Sequence, residues 1–240
     1  MALYLIGLGL SDEKDITLRG LETVKKCSKV YLEHYTSLLQ CSKEDLEKLT
    51  GKKIILADRT QMENKSDEIV ADATKTDVAL LVVGDPFAAT THINYILDCK
   101  KKNIPVHVIH NASVLTAVGE IGLELYKYGK VTSVPFGESK TPHDVIASNL
   151  KSDLHTLVLL DLDPQTSRFM TIAQAIDKLL KHGRLPKIVA CARLGCADSE
   201  IMYGDVSALK KVDFGNAPYC LVVPAKLHFV EEEALGMWEI

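Results

Sequence analysis

The sequence predicts an α/β protein of two α/β domains, the N-terminal one on a mostly parallel five-stranded sheet and the C-terminal one on a mixed sheet. Three observations carry this expectation. Through residue 111, short β-rich runs alternate with longer stretches of helical period, the pattern of a parallel sheet covered by helices. Residues 78–83 form a continuous apolar run, as a strand buried on both faces does. Beyond residue 111 the spacing loosens and the last strands lack long helices between them, so some antiparallel pairs are expected there. The domains are accordingly placed at 1–111 and 112–240, with no flexible linker.

In the first domain, strands are expected at 3–6, 30–32, 54–57, 78–83 and 105–109, with helices at 16–27, 43–50, 64–75 and 92–102. The first strand closes at Gly7, and the first helix carries apolar Ile16, Leu18, Leu21 and Val24 behind Asp15. In the second domain, a helix is expected at 113–123 in spite of Gly119 and Gly122, then a strand at 131–134, a helix at 143–154 and a strand at 156–160. A helix at 171–182 and strands at 187–192, 201–203 and 219–223 complete it.

The composition, 47% hydrophobic, 25% charged and 6% aromatic, excludes a disordered chain, a collagen and a disulfide scaffold. With 28 basic against 32 acidic residues the net charge is −4, and no basic block exceeds Lys100, Lys101, Lys102. A protein that grips nucleic acid by its phosphates carries a basic excess somewhere, so no direct nucleic-acid partner is expected. The six cysteines include no C-x-x-C pair and read as reduced thiols, mostly buried. The opening Met-Ala-Leu-Tyr-Leu-Ile-Gly lacks a basic stretch, and its apolar run is too short for a signal peptide or a membrane span. The expectation is a cytoplasmic protein with no membrane partner.

Parallel α/β sheets collect ligands beyond the carboxyl ends of their strands, which directs attention to a few short motifs. Gly7-x-Gly9 begins a dinucleotide-binding pattern, but Asp12 stands where its third glycine belongs. Glu33, ending the second strand, imitates the ribose-binding acid of that fold. These glycines fit a tight turn or a close backbone approach better. In Gly84-Asp85-Pro86, Asp85 is either the N-cap of a helix with proline at N1 or a carboxylate facing a ligand. Thr90-Thr91-His92 reads as solvent-facing or packing groups, and Ser113 as a helix cap or a seat for a carboxylate. The eight histidines show no metal-binding spacing, and there is no phosphate loop or nucleophile elbow. A cleft with small polar groups and no visible nucleophile suits a transferase that positions two reactants and leaves the chemistry to a reactive cofactor.

The same strand ends resemble the diphthine synthase family. Tyr4-Leu5-Ile6-Gly7-Leu8-Gly9-Leu10, Asp15-Ile16-Thr17 and Glu33-His34-Tyr35-Thr36-Ser37-Leu38 are similar to its opening motifs. Gly84-Asp85-Pro86-Phe87-Ala88-Ala89-Thr90-Thr91-His92, His110-Asn111-Ala112-Ser113-Val114, residues 122–130 and Pro224-Ala225-Lys226-Leu227-His228 extend the likeness along nearly the whole chain. The Tyr-Thr-Ser and Ala-Thr-Thr-His blocks are specific to this branch. Gly-x-Gly and Gly-Asp-Pro are shared with the wider tetrapyrrole methylase superfamily.

The resemblance implies a tetrapyrrole methylase-like (class III) methyltransferase, usually a homodimer, with S-adenosylmethionine folded into the cleft between the domains and S-adenosylhomocysteine as product. It implies as protein substrate translation elongation factor 2, whose 3-amino-3-carboxypropyl-histidine is methylated repeatedly at the amine on the route to diphthamide. The cofactor contacts carried over are Leu10, Asp85, Ala88, Ser113, Val114, Leu160, Leu194 and Tyr219. Ala88 is smaller than the family's usual valine, and Leu194 and Tyr219 depart from the common residues. The resemblance supplies no catalytic base and no metal. Alternatives are another methyltransferase of this fold, acting on a tetrapyrrole or ribosomal RNA, and a nicotinamide-dependent oxidoreductase. Whether the product is the trimethylated amine or also a carboxyl methyl ester stays open at this level.

Overall fold

Among the described residues, the four strand pairings in the first half of the molecule are parallel, which requires each connection to cross a face of the sheet. The computed structural model describes residues 1–35, 37–58, 62 and 66–240. Thr36 of the Tyr-Thr-Ser block, and Asn64 and Lys65 at the start of the helix expected over 64–75, lie outside the described residues. The chain forms two compact units, Met1–Val114 and Leu115–Ile240.

The N-terminal unit runs β1 (Leu3–Gly7), α1 (Leu18–Lys26), β2 (Lys29–Glu33), α2 (Lys43–Thr50), β3 (Ile54–Ala57), α3 (Ser66–Ala73), β4 (Val78–Val82), α4 (Ile93–Lys101) and β5 (Val106–Ile109). The sheet order is β3-β2-β4-β1-β5. The apolar run of β4 is explained by its two coverings. Val78, Leu80 and Val82 pack with Ile69 and Val70 of α3 and Tyr95 and Cys99 of α4. Ala79 and Leu81 point the other way, to Val24 of α1 and Leu46 of α2. Local signals set the helix ends. Thr17 accepts from the Gly20 amide at 3.0 Å to start α1. Ser42 and Asp45 form a capping box for α2, which Gly51 ends with φ of 67°.

The C-terminal unit holds β6 (Thr132–Val134), α5 (Thr141–Lys151), β7 (Thr156–Leu160), β8 (Leu162–Asp163), β9 (Arg168–Phe169), α6 (Ile172–Leu180), β10 (Ile188–Ala192), β11 (Glu200–Gly204), β12 (Tyr219–Val223) and α7 (Phe229–Gly236). Its main sheet has the order β11-β10-β12-β7-β6. It is mixed, as expected: β6 pairs parallel with β7, and the other three pairs are antiparallel. One core fills it, built from β7, β10, β12 and the apolar face of α6, where Ile172, Ala175, Ile176 and Leu179 are buried.

The single helix expected over 113–123 is not formed. One α-turn, Val114–Ala117, passes into the 3₁₀ turn Val118–Ile121, and Gly122 closes it with φ of 96°. A side chain at Gly122 would overlap Ala234 Cβ of α7, so packing of a helix over a hundred residues away decides how this segment ends.

Two buried polar groups, Glu231 and His155, and the half-buried Lys127 tie α7 down. Glu231 accepts from His155 Nε2 and from Lys127 Nζ, both at 2.9 Å, and from the amides of Glu124 at 3.1 Å and His228 at 2.9 Å. His155 Nδ1 accepts from the Ala225 amide at 2.9 Å. Because Nδ1 is an acceptor, the ring is neutral and gives its one proton to Glu231, and Lys127 supplies the countercharge. Burial alone would raise the Glu231 pKa, but the four hydrogen bonds outweigh it and bring it down to about 2. Burial lowers the His155 pKa against the pull of Glu231.

Candidate functional site

At the carboxyl ends of β1, β4 and β5, three loops meet within the N-terminal unit. Gly9 and Gly84 bridge two of them, Gly84 N donating to Gly9 O at 2.7 Å and Gly9 N to Gly84 O at 3.3 Å. Glycine is required by contact at both ends of the Gly-x-Gly motif. A Cβ on Gly7 would lie 2.6 Å from Gly84 O and 2.8 Å from Asn111 Cβ, and one on Gly9, whose φ is 84°, 2.5 Å from Asp15 Cβ. The space beside both glycines is therefore taken up by the chain's own turn.

Asn111 fastens the third loop: its Nδ2 donates to Gly7 O and Asp15 O, both at 3.0 Å, and its Oδ1 accepts from the Ala112 amide at 2.8 Å. Asp15 in turn accepts from the amides of Leu10 at 3.1 Å and Ser11 at 2.7 Å. Sequence reading passed over both as organisers, because their partners are backbone groups that no motif encodes.

Asp85 does not start a helix. Its carboxylate accepts from the Phe87 amide at 2.9 Å, from His110 Nδ1 at 2.7 Å and from the Asn111 amide at 3.2 Å. The chain then turns through Ala89 at φ of 58°, and α4 begins only at Ile93. The left-handed residue is what separates the aspartate from the helix. Burial would raise the Asp85 pKa, but the two amides and His110 reverse this and hold the carboxyl below its ordinary value. Ala88 lies half-buried in the same turn, its amide donating to Asp85 O at 3.1 Å. Buried Ser113 faces Gly84, at 3.6 Å from where a Cβ there would stand, and Val114 follows it. Four of the expected residues, Leu10, Asp85, Ala88 and Ser113, thus occupy three neighbouring loops, and Val114 opens the α-turn that follows Ser113.

Beside this turn sits His92, expected as a solvent-facing or packing group and found 2% exposed. Its Nδ1 lies 3.1 Å from the Pro86 carbonyl oxygen, and its buried Nε2 has no partner among the described residues. Glu33 is 1% exposed, and one of its oxygens accepts from the Tyr35 amide at 2.8 Å. It ends β2, the strand next to β4.

In the C-terminal unit, the register brings Leu160, Leu194 and Tyr219 to one end of the sheet. Leu159 pairs with Cys220 and Ala192 with Tyr219, so Leu160 ends β7 where β12 begins and β10 leaves. Leu160 and Leu194 are nearly buried, while Tyr219 is half-buried with its hydroxyl donating to Gly215 O. Arg193, absent from the expected residues, organises this end. At φ of 53° it turns β10 outward. Its guanidinium donates to Asp198 Oδ2 at 2.7 Å, Asp198 O at 2.9 Å, Phe214 O at 2.6 Å and Asn216 O at 2.5 Å. It clamps the loops that carry Leu194 and Tyr219. Among the described residues no group of three or more His, Cys, Asp or Glu is placed to hold a metal ion, and no helix is long and apolar enough to cross a membrane.

The chain matches the family described as Tetrapyrrole (Corrin/Porphyrin) Methylases over residues 2–210. A diphthine methyl ester synthase of Saccharomyces cerevisiae is 46% identical, over 97% of this chain and 88% of that one. Its counterpart in Schizosaccharomyces pombe is 42% identical, over 99% and 94%. A crystal structure of a diphthine synthase superposes with a TM-score of 0.95 at 39% identity, covering 100% of this chain and 96% of the other.

Proposed function

The chain belongs to the tetrapyrrole (corrin/porphyrin) methylase family and is a methyltransferase of diphthamide biosynthesis within its diphthine synthase branch, and from that premise we propose that it uses S-adenosylmethionine to methylate translation elongation factor 2. The acceptor is the 3-amino-3-carboxypropyl group on one histidine of that factor. Relatives above 40% identity carry methyl ester in their names, so the reading extends past the quaternary amine to the carboxyl methyl ester. On this reading the protein acts in the cytoplasm beside its substrate, as a homodimer.

The observation that carries the cofactor reading is the ionised Asp85, held by two amides and a histidine at the carboxyl ends of the parallel strands. A carboxylate there suits a cationic ligand, and the apolar strand end formed by Leu160, Leu194 and Tyr219 suits an aromatic base. When bound, the cofactor supplies a methyl group on a cationic sulfur. The protein's part is alignment and desolvation: an ammonium has no lone pair, and burial favours its neutral form. The carboxylate that accepts the ester methyl needs no such proton loss.

Saturating S-adenosylmethionine or S-adenosylhomocysteine, at a hundred times the dissociation constant, should stabilise the protein by about 2.7 kcal/mol, read as a rise in Tm. Nicotinamide dinucleotides should give none. Mass spectrometry of the modified histidine peptide after turnover should find the quaternary amine and then the ester. A Tm shift with the nicotinamide alone would overturn the reading, and turnover on a tetrapyrrole would point to a sibling activity. Sedimentation tests the dimer: a species of 26.4 kDa persisting at micromolar concentration would count against it, since a lasting dimer buries about 1,200 Å² or more.

A further inference from the structure

We propose that His92 is the proton acceptor for the substrate's ammonium; this role rests on the functional reading above. A carbonyl oxygen only accepts, so the contact with Pro86 O places the ring proton on Nδ1. Nε2 is left as a buried lone pair with no partner among the described residues. Buried polar groups nearly always find a partner, and an exception calls for a reason; a ligand that donates a hydrogen bond there is one. Burial lowers the His92 pKa, more than the Glu33 charge and the Pro86 bond raise it, so the ring is neutral at rest.

The position suits the task. His92 is bonded to the turn that carries Asp85 and Ala88, the proposed cofactor contacts. It also lines a pocket of ≈ 390 Å³ together with Thr91, Asn94, Tyr95, Asp98 and Lys101. That volume fits a small ligand, and the pocket offers both signs of charge, Lys101 Nζ lying 2.9 Å from Asp98. An amino acid end, bearing an ammonium and a carboxylate, is the complementary ligand.

The step balances as follows. The ammonium N–H bond breaks and its proton moves to Nε2, giving a free amine and an imidazolium. The amine nitrogen bonds to the methyl carbon as that carbon's bond to the cationic sulfur breaks, its electron pair staying with sulfur. The imidazolium releases its proton to water before the next round. Proton removal is needed until the amine is quaternary, whereas methylation of the carboxylate needs none.

The test compares the two kinds of methyl transfer in His92→Asn. Asparagine keeps a donor for Pro86 O but has no counterpart of Nε2. Amine methylation should fall by about 100-fold or more, the usual scale for a general base, and ester formation on factor already bearing the quaternary amine should fall by far less. Equal losses would overturn the role and make His92 a structural residue. Independently of activity, ¹⁵N NMR of the cofactor-free wild type should show His92 protonated at Nδ1 and bare at Nε2 at pH 7. The opposite tautomer, or an imidazolium, would also overturn it. If the wild type forms neither product, the functional reading fails and takes this role with it.

Discussion

Glu231→Ala is expected to destabilise the C-terminal unit by about 3–5 kcal/mol, the cost of breaking a buried charge pair from one side. The carboxylate is 1% exposed and is the common acceptor for Lys127, His155 and two backbone amides. Truncation leaves the Lys127 ammonium with the Lys226 carbonyl as acceptor and strips the His155 Nε2–H of the carboxylate it donates to. It also frees the first turn of α7, whose capping box uses Glu231 against His228 N. The single tryptophan, Trp238, donates to Ile121 O at 3.1 Å within this unit, so its fluorescence follows the affected part during denaturation. An unchanged midpoint would show that the cluster contributes nothing net.

The same cluster fixes an acid limit. The folded pKa of Glu231, about 2, is below its unfolded value of 4.5, so its stabilisation is complete above pH 4.5 and is lost as pH falls through about 2. The difference corresponds to roughly 3 kcal/mol. His155 is also lowered from 6.5, so its contribution is present above pH 6.5 and declines below it. Stability should therefore fall on acidification beginning near pH 6.5, and Glu231→Ala should flatten the part below pH 4.5. Equal slopes in both proteins would contradict this assignment.

Strands 54–57, 156–160 and 219–223 and helix 43–50 were legible to the residue because local chemistry specifies them. Ser42, Asp45 and Gly51 mark both ends of α2, and the strands are apolar runs between polar turns. Helix α7 was not legible. Its pattern is inverted, with Phe229 70% and Val230 52% exposed while Glu231 is buried. No periodicity argument buries a glutamate without knowing that His155 waits for it. The hairpin of β8 and β9 escaped for another reason: two residues per strand are too few to show alternation. At the candidate site the strand ends could be named from the order of elements, and the resemblance supplied individual residues. The hydrogen bonds of Asn111 and Arg193 could not be read, since each joins the side chain to distant carbonyls, and that of His92 to Pro86 O could not because it depends on the fold of the turn between them. Of the two readings open for Asp85, the helix cap is the one not found, and the left-handed backbone of Ala89 that shapes the turn carries no mark in an alanine.

Asp85→Ala is expected to weaken S-adenosylmethionine binding by roughly 1.5–3 kcal/mol, about ten- to a hundredfold, if the carboxylate accepts a charged hydrogen bond from the cofactor. The structure adds a second effect, because this carboxylate also holds the amides of Phe87 and Asn111. A loss of affinity by itself would not separate contact from support. His110→Ala makes the separation. His110 is exposed and bonded to Asp85, and its removal leaves the carboxylate on its two amides. Affinity should then stay within about threefold, below the ~1.4 kcal/mol that a tenfold change represents. Leu160→Lys cannot serve as the parallel test in the other unit, because Leu160 belongs to the core cluster and a lysine there would unfold its surroundings first. The measurement is calorimetric titration of both variants with S-adenosylmethionine, with melting curves to show that each is folded. If Asp85→Ala melts lower but binds as tightly as the wild type, the carboxylate only holds the turn, and the cofactor contact must be sought elsewhere.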